Sequence, residues 1–262
     1  MSLVLAALLA LVVSAPQARA DLFLNEMLSS NTRSIADEDG DHPDWVELYN
    51  SGPEAVDLAA DRYELLQIGD GLGILSRLPI SGNTRVPWTE CYGGFDTGAS
   101  DCLAMKGFSM VTLELADGVT VDLYNLHGEA GGSEEDQALQ VLDYQELAAH
   151  IEANSEGRPI ILGGDTNLHT DPPGSDAHED SAAGADLEIW QTFLEATGLT
   201  DACDATDCDG PGRIDKVAFR SGEGVDLEAI SHAFRDDLFV DAAGEALSDH
   251  DPLEVRFRWS PV

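Results

Sequence analysis

The amino-acid sequence predicts an α+β fold over its C-terminal three quarters, preceded by a small β-rich segment. From residue 63 onward, strand-like segments are interspersed with helix-like ones. The run 159–162 (PIIL) is wholly apolar, as expected of a strand buried on both faces. Residues 253–259 (LEVRFRW) alternate apolar with charged side chains, which is typical of a strand buried on one face.

The N-terminus has the pattern of a signal peptide. Residues 3–13 form an apolar run, and the small-x-small sequence Ala18-Arg19-Ala20 follows it. We expect residues 1–20 to be a leader cleaved after Ala20, and the protein to be secreted. A membrane anchor is the alternative, but about 20 apolar residues are needed to span a bilayer.

Residues 21–60 predict strands around an acidic turn at residues 37–41. The segment LNEMLSSN, followed by DEDGDHPDWVELYN, resembles the N-terminal part of a lamin-tail domain. The resemblance implies an immunoglobulin-like sandwich with an accessory role. It ends at about Ala60, where a complete domain of that type would continue for several strands.

The following elements are predicted in order along the chain. Residues 71–80 end a loop and enter a strand, and residues 111–115 and 119–126 predict a hairpin around Asp117-Gly118. Ser133, followed by three acidic residues, predicts the start of a helix that ends at Gly157. The expected apolar face of this helix consists of Leu139, Leu142, Leu147 and Ile151. A second helix is predicted over residues 186–197.

The composition restricts the classes of function. The 262 residues include 50 acidic and 13 basic side chains, a formal net charge of −37. A hydrophobic share of 43% is enough for a core and argues against disorder. Lys106 and Lys216 are the two lysines, which excludes a protein that coats DNA through clustered cations. The acidity favours a surface solvated in high salt, or else carboxylates that bind divalent cations.

The four cysteines form two close pairs, Cys91 with Cys102 and Cys203 with Cys208. In an exported protein this even count predicts two disulfides, each closing a short loop. Reduced thiols are the alternative, and the spacing does not fit a zinc ribbon.

Four polar clusters lie at the ends of predicted strands. They are residues 125–127 (NLH), 164–167 (GDTN), 213–216 (RIDK) and 248–251 (SDHD). Imidazoles, carboxylates and an amide suit metal-assisted hydrolysis of a phosphate ester. A carboxylate holds the cation, an Asp-oriented His takes a proton from water, and other donors stabilise the transition-state oxygens.

Five segments in order, GLGILSRLPI, DLYNLHGEAG, ILGGDTN, RIDKV and LSDHDPL, resemble the endonuclease/exonuclease/phosphatase superfamily, the fold of DNase I and neutral sphingomyelinase. The resemblance covers residues 63–259. It implies two packed β-sheets flanked by helices, a four-layer sandwich. It also implies divalent-metal-dependent cleavage of phosphate esters with Mg²⁺, or with Ca²⁺ or Mn²⁺.

The resemblance also implies roles for individual catalytic residues. His250 would activate water or stabilise the phosphate, and Asp215 would pair with His250 and set its tautomer. Asp165 and Asn167 would position the nucleophile and the scissile phosphate. His127 would contact a phosphoryl oxygen.

Two further roles follow from the same resemblance. Asp249 would be a metal ligand. Lys106 lies where the superfamily often places a phosphate contact, although a surface lysine is the alternative there.

The N-terminal strands of the superfamily, which carry an Asn and a Glu near the metal, are not recognisable. Asn25 and Glu26 belong to the lamin-tail motif, and Glu64 lies too close to the segment GILSR. We therefore expect a domain that lacks its first strands. An internal deletion between residues 60 and 71, or an error in the gene model there, would account for both truncations. Hard-cation affinity depends on ligand charge and number, so weak metal binding and weak or no activity are expected.

The leading hypothesis is a secreted, metal-dependent hydrolase of phosphodiesters. Two kinds of enzyme are candidates. One is a nuclease, and the other is a phosphodiesterase that acts on a sphingomyelin-like lipid or on a small phosphate ester. The net charge of −37 disfavours long-range attraction of a nucleic acid, although salt would screen it. The alternative is a non-catalytic surface or binding protein, or a partial product, on the same scaffold. We expect a monomer without a stable protein partner.

Overall fold

The structure is a computed structural model that describes a large part of the chain. The described residues are 72–93, 101–103, 106–170, 183–208, 210, 212–235, 240, 246, 248 and 250–262, with the backbone of three earlier strands. The predicted leader, residues 1–20, and the predicted metal ligand Asp249 lie outside the described residues.

The N-terminal strands form two antiparallel pairs. Strand β1 (Leu22–Leu28) pairs with β2 (Trp45–Asn50), and β3 (Glu64–Ile68) pairs with β4 (Leu72–Ser76). The β-rich character expected of residues 21–60 is confirmed, and the lamin-tail assignment and the domain boundaries stay predictions.

The remaining elements alternate strands with helices. In chain order they are β5 (Ile80–Pro87), β6 (Gly107–Ala116), β7 (Val119–His127), α1 (Glu134–Ser155), β8 (Ile160–Asp165), α2 (Ala183–Thr197), β9 (Thr200–Asp201), α3 (Ala202–Thr206), β10 (Asp215–Arg220), β11 (Val225–Phe234) and β12 (Leu253–Pro261). A one-turn 3₁₀-helix spans Asp101–Leu103.

A mixed six-stranded sheet forms the centre of the molecule. Its strand order is β5-β6-β7-β8-β10-β9, and β7 and β8 are its parallel neighbours, with α1 as the connection between them. The predicted hairpin is confirmed as β6–β7, and Gly118 in its turn has a φ of +73°. That left-handed conformation is the reason for glycine at this position.

Two hydrophobic clusters lie on opposite faces of this sheet. One contains Tyr124, Leu162 and Trp190, and helices α1 and α2 cover it. The other contains Ile74 of β4 and Leu227 of β11, with side chains of β12 packed against it. The fold is therefore an α+β arrangement of a central sheet and a second strand layer flanked by helices, as predicted.

Helix α1 begins where the sequence predicts, but the expected apolar face is partly wrong. Ser133 caps it in a capping box with Asp136. Leu142 is 42% exposed, whereas Leu147 and Ile151 are buried. The buried stripe instead includes polar residues: Asp136, Gln140, Asp143, Tyr144, Leu147, Ile151 and Ser155. Of its polar members, Gln140 and Asp143 face a loop whose backbone groups need partners.

Both predicted disulfides form. The Cα–Cα distance is 5.2 Å for Cys91–Cys102 and 4.9 Å for Cys203–Cys208. Among the described residues, none of the helices combines the length and the apolar character needed to cross a membrane.

Candidate active site

Three of the predicted site residues lie in one row across the central sheet. His127 is the last residue of β7 and is paired in register with Asp165, the last residue of β8. Asp165 is paired in turn with Asp215, the first residue of β10. Side chains alternate between the two faces of a strand, so all three are directed to the face opposite helix α1.

His250 joins this row from the segment before β12. Its Nδ1 lies 2.7 Å from Oδ2 of Asp215, a hydrogen bond between imidazole and carboxylate. A carboxylate accepts the Nδ1 proton, which leaves Nε2 as the basic nitrogen of the ring. That Nε2 lies 4.0 Å from Oδ2 of Asp165, and the His250 side chain is 38% exposed. Water and a substrate can therefore reach the ring.

His127 is held as a neutral imidazole. Its Nε2 lies 3.4 Å from Oδ2 of Asp165. Burial, then the charges of Lys106 and His250, lower the pKa of His127 to about 3. Its carbonyl oxygen accepts a hydrogen bond of 2.8 Å from the indole Nε1 of Trp88, which fixes the end of β7. A neutral ring can donate a hydrogen bond to a phosphoryl oxygen without titrating near pH 7.

Asp165 lies at the centre of the row and is the residue that the others contact. Burial raises the pKa of Asp165, and the neighbouring carboxylate of Asp215 raises it further. Its Oδ1 accepts the backbone N–H of Asn167 at 2.9 Å. Two carboxylates on adjacent strands make this point electronegative, which favours a cation or a proton there.

Asn167 lies in a turn that follows Asp165 directly. It has a φ of +51°, a conformation that Asn tolerates better than most residues. Its Nδ2 donates to the carbonyl oxygen of Gly128 at 3.0 Å. A Cβ on Gly128 would lie 2.6 Å from the carbonyl oxygen of Thr166, so the loops after β7 and β8 approach too closely for any larger residue.

Lys106 is not a solvated surface lysine. Its Nζ forms an ion pair with Asp101, and the Lys106 side chain is 10% exposed and that of Asp101 1% exposed. Its charge acts on both His127 and Asp165, because it contributes to the pKa shift of each. The structure thus brings Lys106 into the electrostatic neighbourhood of the row.

The second buried lysine, Lys216, belongs to the predicted cluster 213–216, but no role for it was predicted. Lys216 is 3% exposed, and its Nζ donates to Thr170 Oγ1 at 2.8 Å and to the carbonyl oxygen of Arg213 at 2.5 Å. It lies next to Asp215 on the opposite face of β10 and joins the two loops that carry Asn167 and Asp215. Its position directly after the RID motif was the available indication.

Gln140 of α1 supports the same loops and was also not foreseen. Its Nε2 donates to the carbonyl oxygens of Glu129 and Gly131, at 3.0 and 3.2 Å. The sequence does contain a signal for the burial of Gln140. Helical spacing places it on one face with Asp143, Tyr144 and Leu147, but that face is recognisable only when polar residues are allowed to be buried.

The row offers carboxylate oxygens, which are the kind of ligand that a divalent cation such as Mg²⁺ prefers. Asp165 and Asp215 repel one another across adjacent strands, and a hard cation with oxygen ligands would remove that repulsion. Within the described residues, Cys203, Cys208 and His232 are the one group of three ligand atoms within 4.8 Å of each other, and both cysteines are in a disulfide. A complete set near Asp165 therefore needs residues beyond those described, and Asp249 is the predicted one.

Several solved structures resemble the chain. An endonuclease/exonuclease/phosphatase from Beutenbergia cavernae is 18% identical with a TM-score of 0.49, covering 76% of this chain and 54% of that one. A mutant beta toxin from Staphylococcus aureus with bound magnesium ions is 15% identical with a TM-score of 0.46, covering 71% and 67%. No family model matches the chain.

The curated relatives provide the sequence evidence. Sphingomyelinases of Mycobacterium tuberculosis and Mycobacterium bovis are 33% identical over 205 residues, 72% of this chain. The chain spans 37% of the length of these relatives. The match supports the resemblance that the five motifs predict: over these 205 residues the chain is a homologue of the sphingomyelinases, and its structural neighbours include an endonuclease/exonuclease/phosphatase.

Proposed function

We propose that this chain is a secreted, divalent-metal-dependent hydrolase of phosphodiesters. The main support is the pairing of Asp215 with His250 directly beside Asp165, in the row that begins at His127. A carboxylate-oriented imidazole, a neutral imidazole and a central carboxylate supply a base, a donor and an anchoring group for phosphoryl transfer.

In the proposed reaction, water attacks phosphorus and its proton passes to Nε2 of His250. The bond from phosphorus to the ester oxygen breaks, and the departing alkoxide takes a proton from solvent, so the products are a phosphomonoester and an alcohol. Asp215 stabilises the imidazolium that forms and holds the ring in one orientation. Neutral His127 donates its N–H to a phosphoryl oxygen as negative charge develops there. Asn167 orients the nucleophile and the phosphate together with Asp165. Lys106 supplies positive charge near His127 and Asp165.

The proposed cofactor is Mg²⁺, with Ca²⁺ or Mn²⁺ as substitutes. Asp249 and Asp165 would hold it, and when bound it would polarise the phosphoryl oxygens. The superfamily's N-terminal Asn and Glu are not recognisable in this sequence. We therefore propose that the affinity for the cation is low and that activity is correspondingly weak.

The proposed substrate is a sphingomyelin-like lipid in preference to nucleic acid. The curated relatives are named sphingomyelinase, and the net charge of −37 opposes the approach of a polyanion. A non-catalytic binding protein on this scaffold is the second candidate, because a depleted ligand set would abolish metal-dependent chemistry while leaving the fold intact.

The test is turnover by the purified chain with Mg²⁺, Ca²⁺ or Mn²⁺ in turn. Sphingomyelin in mixed micelles, single-stranded DNA and bis(4-nitrophenyl) phosphate are compared, and His250→Ala is the negative control. We expect slow release of phosphocholine that requires the metal and His250. Calorimetry with Mg²⁺ on the same sample separates the candidates: a folded chain that binds no cation and cleaves none of the three is non-catalytic.

A further inference from the structure

The disulfide Cys203–Cys208 lies in a region that the proposed reaction does not use. Cys203 belongs to α3 and is 7% exposed, and Cys208 comes shortly after the end of the helix and is half-buried. Helix α3 packs against β11 of the second strand layer. A ring nitrogen of His232, a residue of β11, lies within 4.8 Å of both sulfur atoms. Two sulfurs and an imidazole nitrogen thus meet at the junction of α3 and β11.

A β-bulge directs His232 towards this junction. Ile230 is an extra residue of β11 and has no partner in the register with β12. Before it, Asp226 and Glu228 are exposed. An extra residue reverses the alternation of side chains between the two faces of a strand. His232 therefore faces inward together with its pairing partner Val255, which packs against the core.

The ring of His232 has the properties of a metal ligand. Its Nδ1 is buried and forms no hydrogen bond to another described residue. A buried nitrogen without a partner is unfavourable, and a metal ion coordinated there would remove that cost. Burial lowers the pKa of His232 and outweighs the opposing charge of Asp201. The ring is therefore neutral near pH 7, which is the form that binds metals.

The backbone keeps the two cysteines close, independently of the bond between their sulfurs. The carbonyl oxygen of Cys203 accepts the backbone N–H of Cys208 at 3.2 Å, and the carboxylate of Asp201 accepts the backbone N–H of Cys203 at 2.7 Å. Asp201 is fixed in turn by the indole of Trp190 at 2.8 Å. In a tetrahedral zinc site, two sulfurs lie about 3.8 Å apart, and rotation of the cysteine side chains can give that separation.

The donor atoms select a soft metal and require a reduced chain. Thiolate sulfur and imidazole suit Zn²⁺, whereas Mg²⁺ and Ca²⁺ prefer oxygen. A dithiol reductant would supply two electrons and two protons, break the S–S bond and itself become a disulfide. The two thiol protons then pass to solvent as the sulfurs bind Zn²⁺. Two thiolates, a neutral imidazole and Zn²⁺ sum to zero charge, which suits a half-buried site, and water would take the fourth position.

We infer that reduction of the Cys203–Cys208 disulfide opens a Zn²⁺ site formed by both thiolates and the imidazole of His232. The disulfide closes a short loop within one segment of the chain, whereas the metal would bond α3 to β11. The site is independent of the proposed hydrolase function, because Asp165 and His250 take no part in it.

The first test is the affinity for Zn²⁺ in the two redox states. The full chain is reduced with dithiothreitol, which is removed by gel filtration without oxygen, and excess Mg²⁺ is added to occupy the sites with oxygen ligands. Co²⁺ is bound first, because its thiolate charge-transfer band reports sulfur ligation, and Zn²⁺ then displaces it in competition with a chromophoric chelator. We expect the reduced chain to bind Zn²⁺ at least about 100-fold more tightly than the oxidised chain, whose sulfurs are not thiolates. Equal affinities in the two states overturn the site.

The second test is the contribution of the third ligand. Loss of an indirect support of a metal ligand costs about 10–100-fold in affinity, so His232→Gln in the reduced chain should weaken Zn²⁺ binding by at least about tenfold. His150→Gln replaces another half-buried imidazole, on α1, and should keep the affinity. Cys91→Ser combined with Cys102→Ser removes the other two thiols and should also keep it. Unchanged Zn²⁺ binding by His232→Gln overturns the three-ligand site in favour of a thiol pair alone.

Unfolding gives a readout that does not depend on the spectrum of the metal. Zn²⁺ held by the native fold should raise the thermal midpoint of the reduced chain but not that of the oxidised chain. If reduction unfolds the chain, Zn²⁺ should restore its circular dichroism, as it does in domains that fold around a metal. A reduced chain that gains neither stability nor structure from Zn²⁺ overturns the link between α3 and β11. Each of these failures leaves the proposed hydrolase standing, because none of the measurements involves turnover.

Discussion

Asp215 accepts the Nδ1 proton of His250 across a distance of 2.7 Å, although the two residues are 35 positions apart in the chain. Asp215 begins β10, where it is fixed by pairing with Asp165, while His250 comes from the segment before β12. The imidazole is thus positioned by the central sheet, even though it is supplied by the second strand layer.

The first prediction concerns this contact. Asp215→Asn leaves the side chain's shape unchanged but presents an amide that favours the wrong tautomer of His250. We expect kcat to fall by about 10³–10⁴-fold, the scale found for the same change in a serine-protease triad. Asp117→Asn, in the exposed turn of the β6–β7 hairpin, is the control and should retain full turnover. Equal losses in both variants would show that the dyad has no catalytic role.

The second prediction concerns the close approach of β7 and β8. Gly164 has a φ of +145°, and a Cβ there would lie 2.1 Å from the carbonyl oxygen of Leu126. Gly164→Ala should therefore destabilise the fold by more than about 3 kcal/mol, since both backbone strain and a clash must be relieved. Gly82→Ala is the control, with a φ of +70° but nothing within 4 Å of its Cβ. Its cost should be about 1 kcal/mol in urea unfolding.

The third prediction concerns an ion pair between a buried carboxylate and a partly exposed arginine at the far end of the sheet. Asp122 is fully buried and accepts hydrogen bonds from Arg158 at 2.6 and 2.7 Å and from Ser155 at 2.7 Å. Asp122→Asn removes the anion from a guanidinium that is 38% exposed and leaves a weaker buried acceptor in its place, which should cost about 1.5–3 kcal/mol. Glu228→Gln breaks the exposed pair with Arg258 and should cost less than about 1 kcal/mol. A smaller loss for Asp122→Asn than for Glu228→Gln would contradict the network.

The sequence was sufficient to predict which residues form the row, but not the side chains that support it. His127, Asp165, Asp215 and His250 lie in motifs at strand ends, and the register of the sheet brings them together as expected. Leu142 was misplaced because periodicity assigns leucines inward and acids outward.

The buried polar residues explain that error. Gln140 and Asp143 take inward positions of α1 because the loop after β7 has carbonyl and N–H groups that water does not reach. Which loop packs on a helix depends on tertiary contacts, and a single sequence does not reveal them. The burial of Lys216 beneath Thr170 has the same origin.

The last prediction concerns the pH dependence of stability. Burial raises the pKa of Glu129 to about 7 and that of Asp143 to about 8, above the ordinary values of these groups. The native state then binds more protons than the unfolded state, so the free energy of unfolding falls as pH rises towards 8. His127 acts in the opposite sense, because its pKa is lowered, but this contribution fades as the unfolded imidazole loses its proton and is small above about pH 7.5.

The measurement is the midpoint of thermal unfolding between pH 6.5 and 8, at constant ionic strength. We expect the midpoint of the wild-type chain to fall across this window. Asp143→Asn removes one of the two titrating groups while its amide can still contact the backbone of Glu129, so the slope should become shallower. Glu152→Gln changes the same net charge at an exposed position of α1 and should leave the slope as it is. Equal slopes in all three proteins would mean that the decline comes from the general repulsion among 50 acidic residues and not from this buried pair.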